Sequence, residues 1–181
     1  MAKGMAHNPD DWYFPFSIAM NYHLLEDMER AAEFLLIAAA LPDAPFYLPN
    51  LAASLLNETD QEEVALHFLL EEYKTAPGEM EKNAIYVKIH ETRFMIARRD
   101  VDAARTRFEE EVGHPPTDLT ELVPTYLATL PDDPWATFVE DGARCTLTIN
   151  PLDNEVMSTC MRKALTTIQT RYGIGSLQSI R

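Results

Sequence analysis

The chain has 181 residues, of which 46% are hydrophobic, and it carries a formal net charge of −14. These values predict one folded domain, or a domain with an appendage, and exclude disorder along the whole chain. The acidic balance argues against nucleic acid as a partner, because phosphate binding requires a basic face. We expect no membrane span, since no apolar run approaches the roughly 18 residues required. We also expect no signal peptide, since no apolar core follows the first residues.

The first predicted element is a helical hairpin over about 14–41. A helix should begin near Phe14, because Pro15 suits a first turn, where its missing N–H costs nothing. Asp27 is a candidate N-cap for a second helix ending near Leu41. Asn8-Pro9 resembles the end of a repeat, so we expect an array that once extended upstream.

A second hairpin is predicted over about 50–73, after three prolines that break the chain. Its first helix covers 50–57. Thr59 and Glu62 have the spacing of a capping box, which predicts the start of a helix running to about Tyr73.

A third hairpin is predicted over about 80–112. Its first helix covers Met80 to Arg98, Asp100 resembles Asp27 as a junction, and a second helix runs from Val101 to Val112. Gly113 is the expected helix terminator. These three hairpins form a predicted helical domain over 12–112.

The chain changes character after Gly113, which predicts a small α+β cap over 113–150. Asp118 and Glu121 are placed to cap a short helix ending near Leu127. Two short strands, Thr137 to Val139 and Arg144 to Ile149, are expected to pair across an Asp-Gly turn. A last helix over about 154–172 and a tail complete the predicted region 151–181.

An internal repeat of 34 residues is the most informative feature of the sequence. A fixed period of this size predicts stacked helical hairpins, each burying its apolar face on its neighbour. The matching positions are Ala19 and Ala53, Tyr22 and Leu56, Ala31 and Ala65, and Leu35 and Leu69.

Residues 12–75 resemble the tetratricopeptide repeat family in these positions and in the Asp27-Met28 junction, although Leu56 replaces an aromatic residue. The resemblance implies a superhelix whose concave face, lined by the first helix of each hairpin, holds a segment of a protein partner. The implied partner-binding residues are Tyr13, Phe16, Met20, His23, Tyr47, Asn50, Ser54 and Asn57. The residues that grip a C-terminal carboxylate in some family members are absent, so that activity is not carried over.

Residues 101–149 resemble the end of a type II secretion major pseudopilin. The matching features are Gly113, Pro115 and Thr117, a short leucine-rich helix, and the run Leu-Pro-Asp-Asp-Pro-Trp that ends at Trp135. The pilin helix and a clear calcium loop are missing, so the resemblance implies a packing module and not a filament subunit. The combination is similar to bacterial tetratricopeptide proteins with a membrane anchor and a pseudopilin-like end.

No motif in the sequence predicts catalysis, a cofactor or a metal site. The histidines are scattered, and phosphate-binding loops, nucleophile elbows and zinc-protease patterns are all missing. Five arginines near the third predicted hairpin have two interpretations: they bind an acidic partner, or they pair with nearby carboxylates at helical spacing. They are Arg93, Arg98, Arg99, Arg105 and Arg107.

Two further features leave alternatives open. Cys145 and Cys160 form either two buried free thiols, the commoner outcome, or one disulfide if the compartment is oxidising. An aromatic group over 12–16 either staples the first hairpin or forms an exposed anchor for a partner.

The sequence therefore predicts a mostly helical protein: a short tetratricopeptide-like array of helical hairpins with a small α+β pseudopilin-like cap. We expect a non-enzymatic scaffold or adaptor of a bacterial envelope, secretion or pilus-type assembly, whose partner is a basic or apolar protein segment. The alternative is a packing domain of a larger chain that forms a homo-oligomer through its N-terminal edge. The compartment is unknown from the sequence; the chain as given reads as the soluble part of an anchored protein.

Overall fold

The computed structural model describes residues 7–173 and is mostly helical with one small sheet, as predicted. Its chain divides into two compact units, with the boundary between Thr92 and Arg93. The α-helices whose bounds lie within the described residues are α1 Tyr13–Leu24, α2 Met28–Ala39, α3 Leu48–Glu58, α4 Glu62–Thr75, α5 Glu79–Val112 and α6 Met161–Tyr172. Short 3-10 helices cover Leu119–Leu122, Pro134–Phe138 and Gly142–Arg144. Two strands complete the fold: β1 Leu147–Ile149 and β2 Val156–Ser158. Within the described residues, no helix has the length and apolarity to cross a membrane.

In the first unit, α1 packs on α2, α2 on α3 and α3 on α4. The core between these helices is built from small residues and leucines, which let the helix backbones approach closely. All four pairs of repeat positions contribute to it. Ala19, Ala31, Ala53, Ala65, Leu35, Leu56 and Leu69 are buried, and Tyr22 packs against them. The first two predicted hairpins are therefore present, with helix bounds within three residues of those expected.

The two predicted helix caps of this unit have opposite outcomes. Asp27 caps α2, since its Oδ1 accepts a hydrogen bond from the backbone N–H of Arg30 at 3.2 Å. The capping box at Thr59 is wrong, because α3 extends to Glu58 and places Thr59 at its C-terminal end. Thr59 Oγ1 donates to the carbonyl oxygens of Leu55 and Leu56 in the last turn of α3, and α4 begins after Gln61 without a side-chain cap.

The third predicted hairpin is also wrong, because 79–112 forms one helix, α5, that contributes residues to both units. No glycine or proline occurs between Glu79 and Val112, so nothing in the segment interrupts the helical hydrogen bonds. Asp100 is an exposed residue inside the helix. Gly113 ends α5 as expected, with a φ of 87° that suits glycine.

In the second unit, Asp118 and Glu121 form the predicted capping box at the start of a short helix. Glu121 Oε1 accepts from the backbone N–H of Asp118, and Asp118 Oδ1 accepts from that of Thr120. Hydrogen bonds from Thr120 hold the pKa of the Asp118 carboxyl below its ordinary value, and hydrogen bonds from Thr117 and from the Asp118 backbone lower the pKa of Glu121. The helix they start is a single 3-10 turn, Leu119–Leu122, which ends before the expected Leu127.

The sheet contains part of one expected strand, since β1 lies within the predicted strand Arg144 to Ile149, but its partner is different. Strand β1 pairs antiparallel with β2, Leu147 lying opposite Ser158 and Ile149 opposite Val156. Thr137 instead belongs to a 3-10 helix, which Pro134 and the Asp133 side chain start. The last predicted helix is correspondingly shorter, because Val156–Ser158 is extended and α6 begins only at Met161.

The core of this unit surrounds a fully buried tryptophan. Trp135 packs on Phe94 and Phe138, at ring-centre distances of 6.2 and 6.0 Å. Cys145 and Cys160, which flank the strand pair, form a disulfide with a Cα–Cα distance of 5.4 Å. The free-thiol alternative is therefore corrected, because the strand pairing brings the two cysteines together.

Candidate binding surface

The predicted partner-binding residues divide into an exposed group and a packed group. Tyr13 and Tyr47 are 57% and 46% exposed and occupy positions 34 residues apart, at the starts of α1 and α3. His23 is exposed, and Ser54 is half-buried. We call Tyr13 and Tyr47 the tyrosine pair, because they occupy equivalent positions in the repeat.

The other four predicted residues are packed. Phe16 and Met20 are half-buried against the core of the first unit. Asn50 Nδ2 donates to the carbonyl oxygen of Ala84 at 3.3 Å. Asn57 is only 5% exposed, and its Nδ2 donates to Thr92 Oγ1 at 3.0 Å. These asparagines tie α3 to α5, so the structure removes Asn57 from the accessible surface.

The aromatic group over 12–16 supports both of its interpretations in part. Trp12 and Phe16 pack against the core with their ring centres 5.8 Å apart, which is the stapling role. Tyr13 is 57% exposed, although its ring also contacts that of Trp12 at a ring-centre distance of 6.0 Å. Of the four aromatic residues in the group, the other three, Phe14 among them, are half-buried, so Tyr13 is the candidate anchor for a partner.

A cleft of about 370 Å³, which no sequence pattern predicted, opens in the first unit. We call it the acidic cleft. The α2–α3 loop, the first turn of α3, the end of α4 and the start of α5 surround it. Its lining residues are Ala39, Leu41, Asp43, Ala44, Pro45, Phe46, Pro49, Glu72, Thr75, Ala76, Pro77, Glu81 and Ile85. The one sequence signal was the proline-rich loop that ends in Phe46 and Tyr47, which we used only as a helix breaker.

The charge of the acidic cleft comes from Asp43, Glu72 and Glu81. Glu72 is half-buried, and this burial raises the pKa of its carboxyl because it penalises the ionised form. Glu81 lies close to Gly78, where a Cβ would strike the carboxylate oxygen. Because Gly78 has no side chain, the Glu81 carboxylate can occupy its position beside the cleft.

A second cleft, of about 280 Å³, lies between α2 and α4. It also combines carboxylates, Glu29 and Glu33, with apolar side chains, among them Leu36 and the exposed Val64. Neither lining includes any of the eight predicted partner-binding residues. Both clefts of the first unit are thus lined by carboxylates together with apolar side chains.

The second unit offers less material for a site. Arg98 and Arg105 pair with Asp102, and Arg99 pairs with Asp100. Arg107 donates to the carbonyl oxygens of Ala103 and Tyr126. Three of the five arginines, Arg98, Arg99 and Arg105, therefore follow the pairing interpretation. Across residues 7–173, no three His, Cys, Asp or Glu side chains come together as a metal site would require.

We found no family model, curated protein or solved structure that matches this chain. The tetratricopeptide and pseudopilin resemblances therefore stay predictions.

Proposed function

We propose that this chain is a non-catalytic scaffold that binds a segment of a protein partner on its helical array. The exposure of the tyrosine pair carries the proposal. Aromatic side chains are enriched among residues that dominate binding energy at protein interfaces, because they bury a large area with few rotatable bonds. Tyr13 and Tyr47 are exposed at equivalent repeat positions, so an extended partner segment would have two anchor points spaced by one repeat.

The tetratricopeptide-like architecture and the pseudopilin-like cap belong to this proposal. Successive packed helices and buried alanines at the repeat positions support the tetratricopeptide-like architecture. The short 3-10 turn with its capping box and the small sheet of the second unit support the pseudopilin-like cap. Arrays of this kind commonly present a binding surface along their length.

An envelope location is part of the same proposal. Disulfides form and persist in oxidising compartments such as the bacterial periplasm and are rare in the cytosol. The Cys145–Cys160 bond in the second unit therefore supports a bacterial envelope, secretion or pilus-type assembly as the setting.

Photocrosslinking in the source cells tests the proposal. Tyr13 or Tyr47 is replaced by p-benzoylphenylalanine, which has a similar shape, and crosslinked peptides are identified by mass spectrometry. Leu152, which is exposed in the second unit, provides the matched control position. We expect both tyrosine positions, and not Leu152, to crosslink to the same segment of one other protein. Failure of both tyrosine positions to crosslink to another protein would overturn the proposal.

Self-assembly through the exposed turn between α1 and α2 is a second candidate. Leu24 and Leu25, at the end of α1, are 80% and 75% exposed, and adjacent exposed leucines favour association. A crosslinker at Leu24 should then join two copies of the chain, with a mass in light scattering that rises with concentration. A constant monomeric mass would exclude this candidate.

A further inference from the structure

The lining of the acidic cleft selects for positive charge. It contains the carboxylates of Asp43, Glu72 and Glu81 and no basic residue. Within the described part of the chain, none of the three carboxylates forms an ion pair. Their negative charge is therefore available to a ligand, and partial enclosure strengthens its attraction for a cation.

The walls of the cleft suit an organic cation better than a metal ion. Phe46, Pro45, Pro49 and Ile85 supply apolar surface, and Phe46 is half-exposed. An aromatic face attracts a guanidinium or ammonium group, and apolar walls cover the methylene groups that carry it. Among the described residues, no carboxylate cluster of metal-binding size occurs.

The position of the cleft relates it to the tyrosine pair. Phe46 lines the cleft, and its ring contacts that of its neighbour Tyr47 at 6.2 Å. A segment seated on Tyr47 would therefore place its next side chains at the opening. The volume of about 370 Å³ lies in the range of pockets that hold small ligands, and a single large side chain fits within it.

We propose that the acidic cleft binds an arginine side chain, flanked by apolar residues, from the protein partner. This inference depends on the proposed function and names the chemistry of the segment bound. A second copy of the chain is a poor occupant, because each copy has a net charge of −14 and the two would repel each other. Arginine is favoured over lysine because its planar guanidinium stacks on aromatic rings and binds a carboxylate through two N–H groups.

An NMR titration of the full 181-residue chain tests this inference. The probe is the tripeptide Leu-Arg-Leu, acetylated and amidated so that its termini carry no charge. The matched probe contains citrulline, which keeps the shape of arginine and removes its charge. We expect Leu-Arg-Leu to shift the backbone amide signals of Thr75, Ala76 and Ile85 and to bind about tenfold more tightly than the citrulline peptide, since each partly exposed ion pair contributes up to about fivefold.

Two double variants complete the design. Glu72→Gln with Glu81→Gln removes cleft carboxylates and should weaken binding of Leu-Arg-Leu about tenfold. Glu71→Gln with Glu79→Gln changes exposed neighbours outside the cleft on the same two helices and should leave binding unchanged. Circular dichroism of each variant checks that the fold is retained.

Three results would overturn the inference: no amide shifts at millimolar peptide, equal binding of the citrulline peptide, or equal losses in both double variants. The proposed function is tested separately by the crosslinks from Tyr13 and Tyr47. Persistent crosslinks without arginine-dependent binding would reject the acidic cleft and leave the scaffold. Arginine-dependent binding without crosslinks would reject the tyrosine surface alone.

Discussion

Loss of the Cys145–Cys160 disulfide should destabilise the second unit by about 3 kcal/mol. The bond joins residues with a sequence separation of 15. Cross-linking a loop of this length removes conformational entropy from the unfolded chain worth about 3 kcal/mol at 25 °C. The loop already contains the paired strands β1 and β2. We therefore expect the reduced protein to fold in the same way but to unfold at lower denaturant concentration.

Guanidinium unfolding of the oxidised and reduced protein, followed by tryptophan fluorescence, measures this difference. The chain has 2 tryptophans, so a Trp12→Phe variant leaves Trp135 as the single reporter. Trp135 is fully buried in the unit that holds the disulfide, which makes its emission sensitive to unfolding of that unit. Both samples should give similar slopes if the denatured states are comparably exposed.

A Cys145→Ala/Cys160→Ala double variant provides the control. Its stability should fall by at least the same amount, because it loses the cross-link and two buried sulfur atoms, and reductant should not change it further. A difference below about 1 kcal/mol between the oxidised and reduced protein would refute the cross-link reasoning.

Two further predictions concern single side chains of the first unit. Asp27→Ala should cost about 1 kcal/mol in urea unfolding by removing the cap of α2, whereas Asp27→Asn, whose amide oxygen still accepts, should cost much less; equal losses would contradict the cap. Burial raises the pKa of Glu72 above its ordinary value of 4.5, so the stability that this carboxyl contributes is present below the unfolded pKa and is lost as pH rises through the folded pKa. Glu72→Gln should therefore raise Tm at neutral pH and lose this effect in acid. Glu71→Gln should do the opposite, because a hydrogen bond from Lys74 lowers the pKa of Glu71. The same sign for both variants in differential scanning calorimetry would contradict the assignment.

Several helix ends follow from local chemistry and were predicted correctly. Asp27 supplies the oxygen that the free N–H groups of α2 require, and Asp118 with Glu121 does the same for the 3-10 turn. Gly113 accepts the positive φ that ends α5. These features depend on residues within four positions of each other, so the sequence pattern contains all the necessary information.

The wrong predictions arose where one local signal had two possible uses. Thr59 has the right spacing for a capping box, yet α3 extends far enough to bring its hydroxyl to carbonyl oxygens. Asp141-Gly142 is a common hairpin turn, yet Pro134 and Asp133 had already started a 3-10 helix over the intended strand. The sheet instead pairs residues on either side of a turn at 150–155, where Asn154 has a positive φ.

The sequence by itself determined the repeat of 34 residues, the small buried side chains at its matching positions and most helix ends, because each depends on spacing along the chain. Only the tertiary structure decided which predicted site residues remain accessible. Asn57 is buried and hydrogen-bonds to Thr92, which is 35 positions away in the sequence, while Tyr13 and Tyr47 stay exposed. The acidic cleft likewise exists only where residues from Ala39 to Ile85 converge. Burial and cavity shape are properties of contacts between distant segments, which no local pattern specifies.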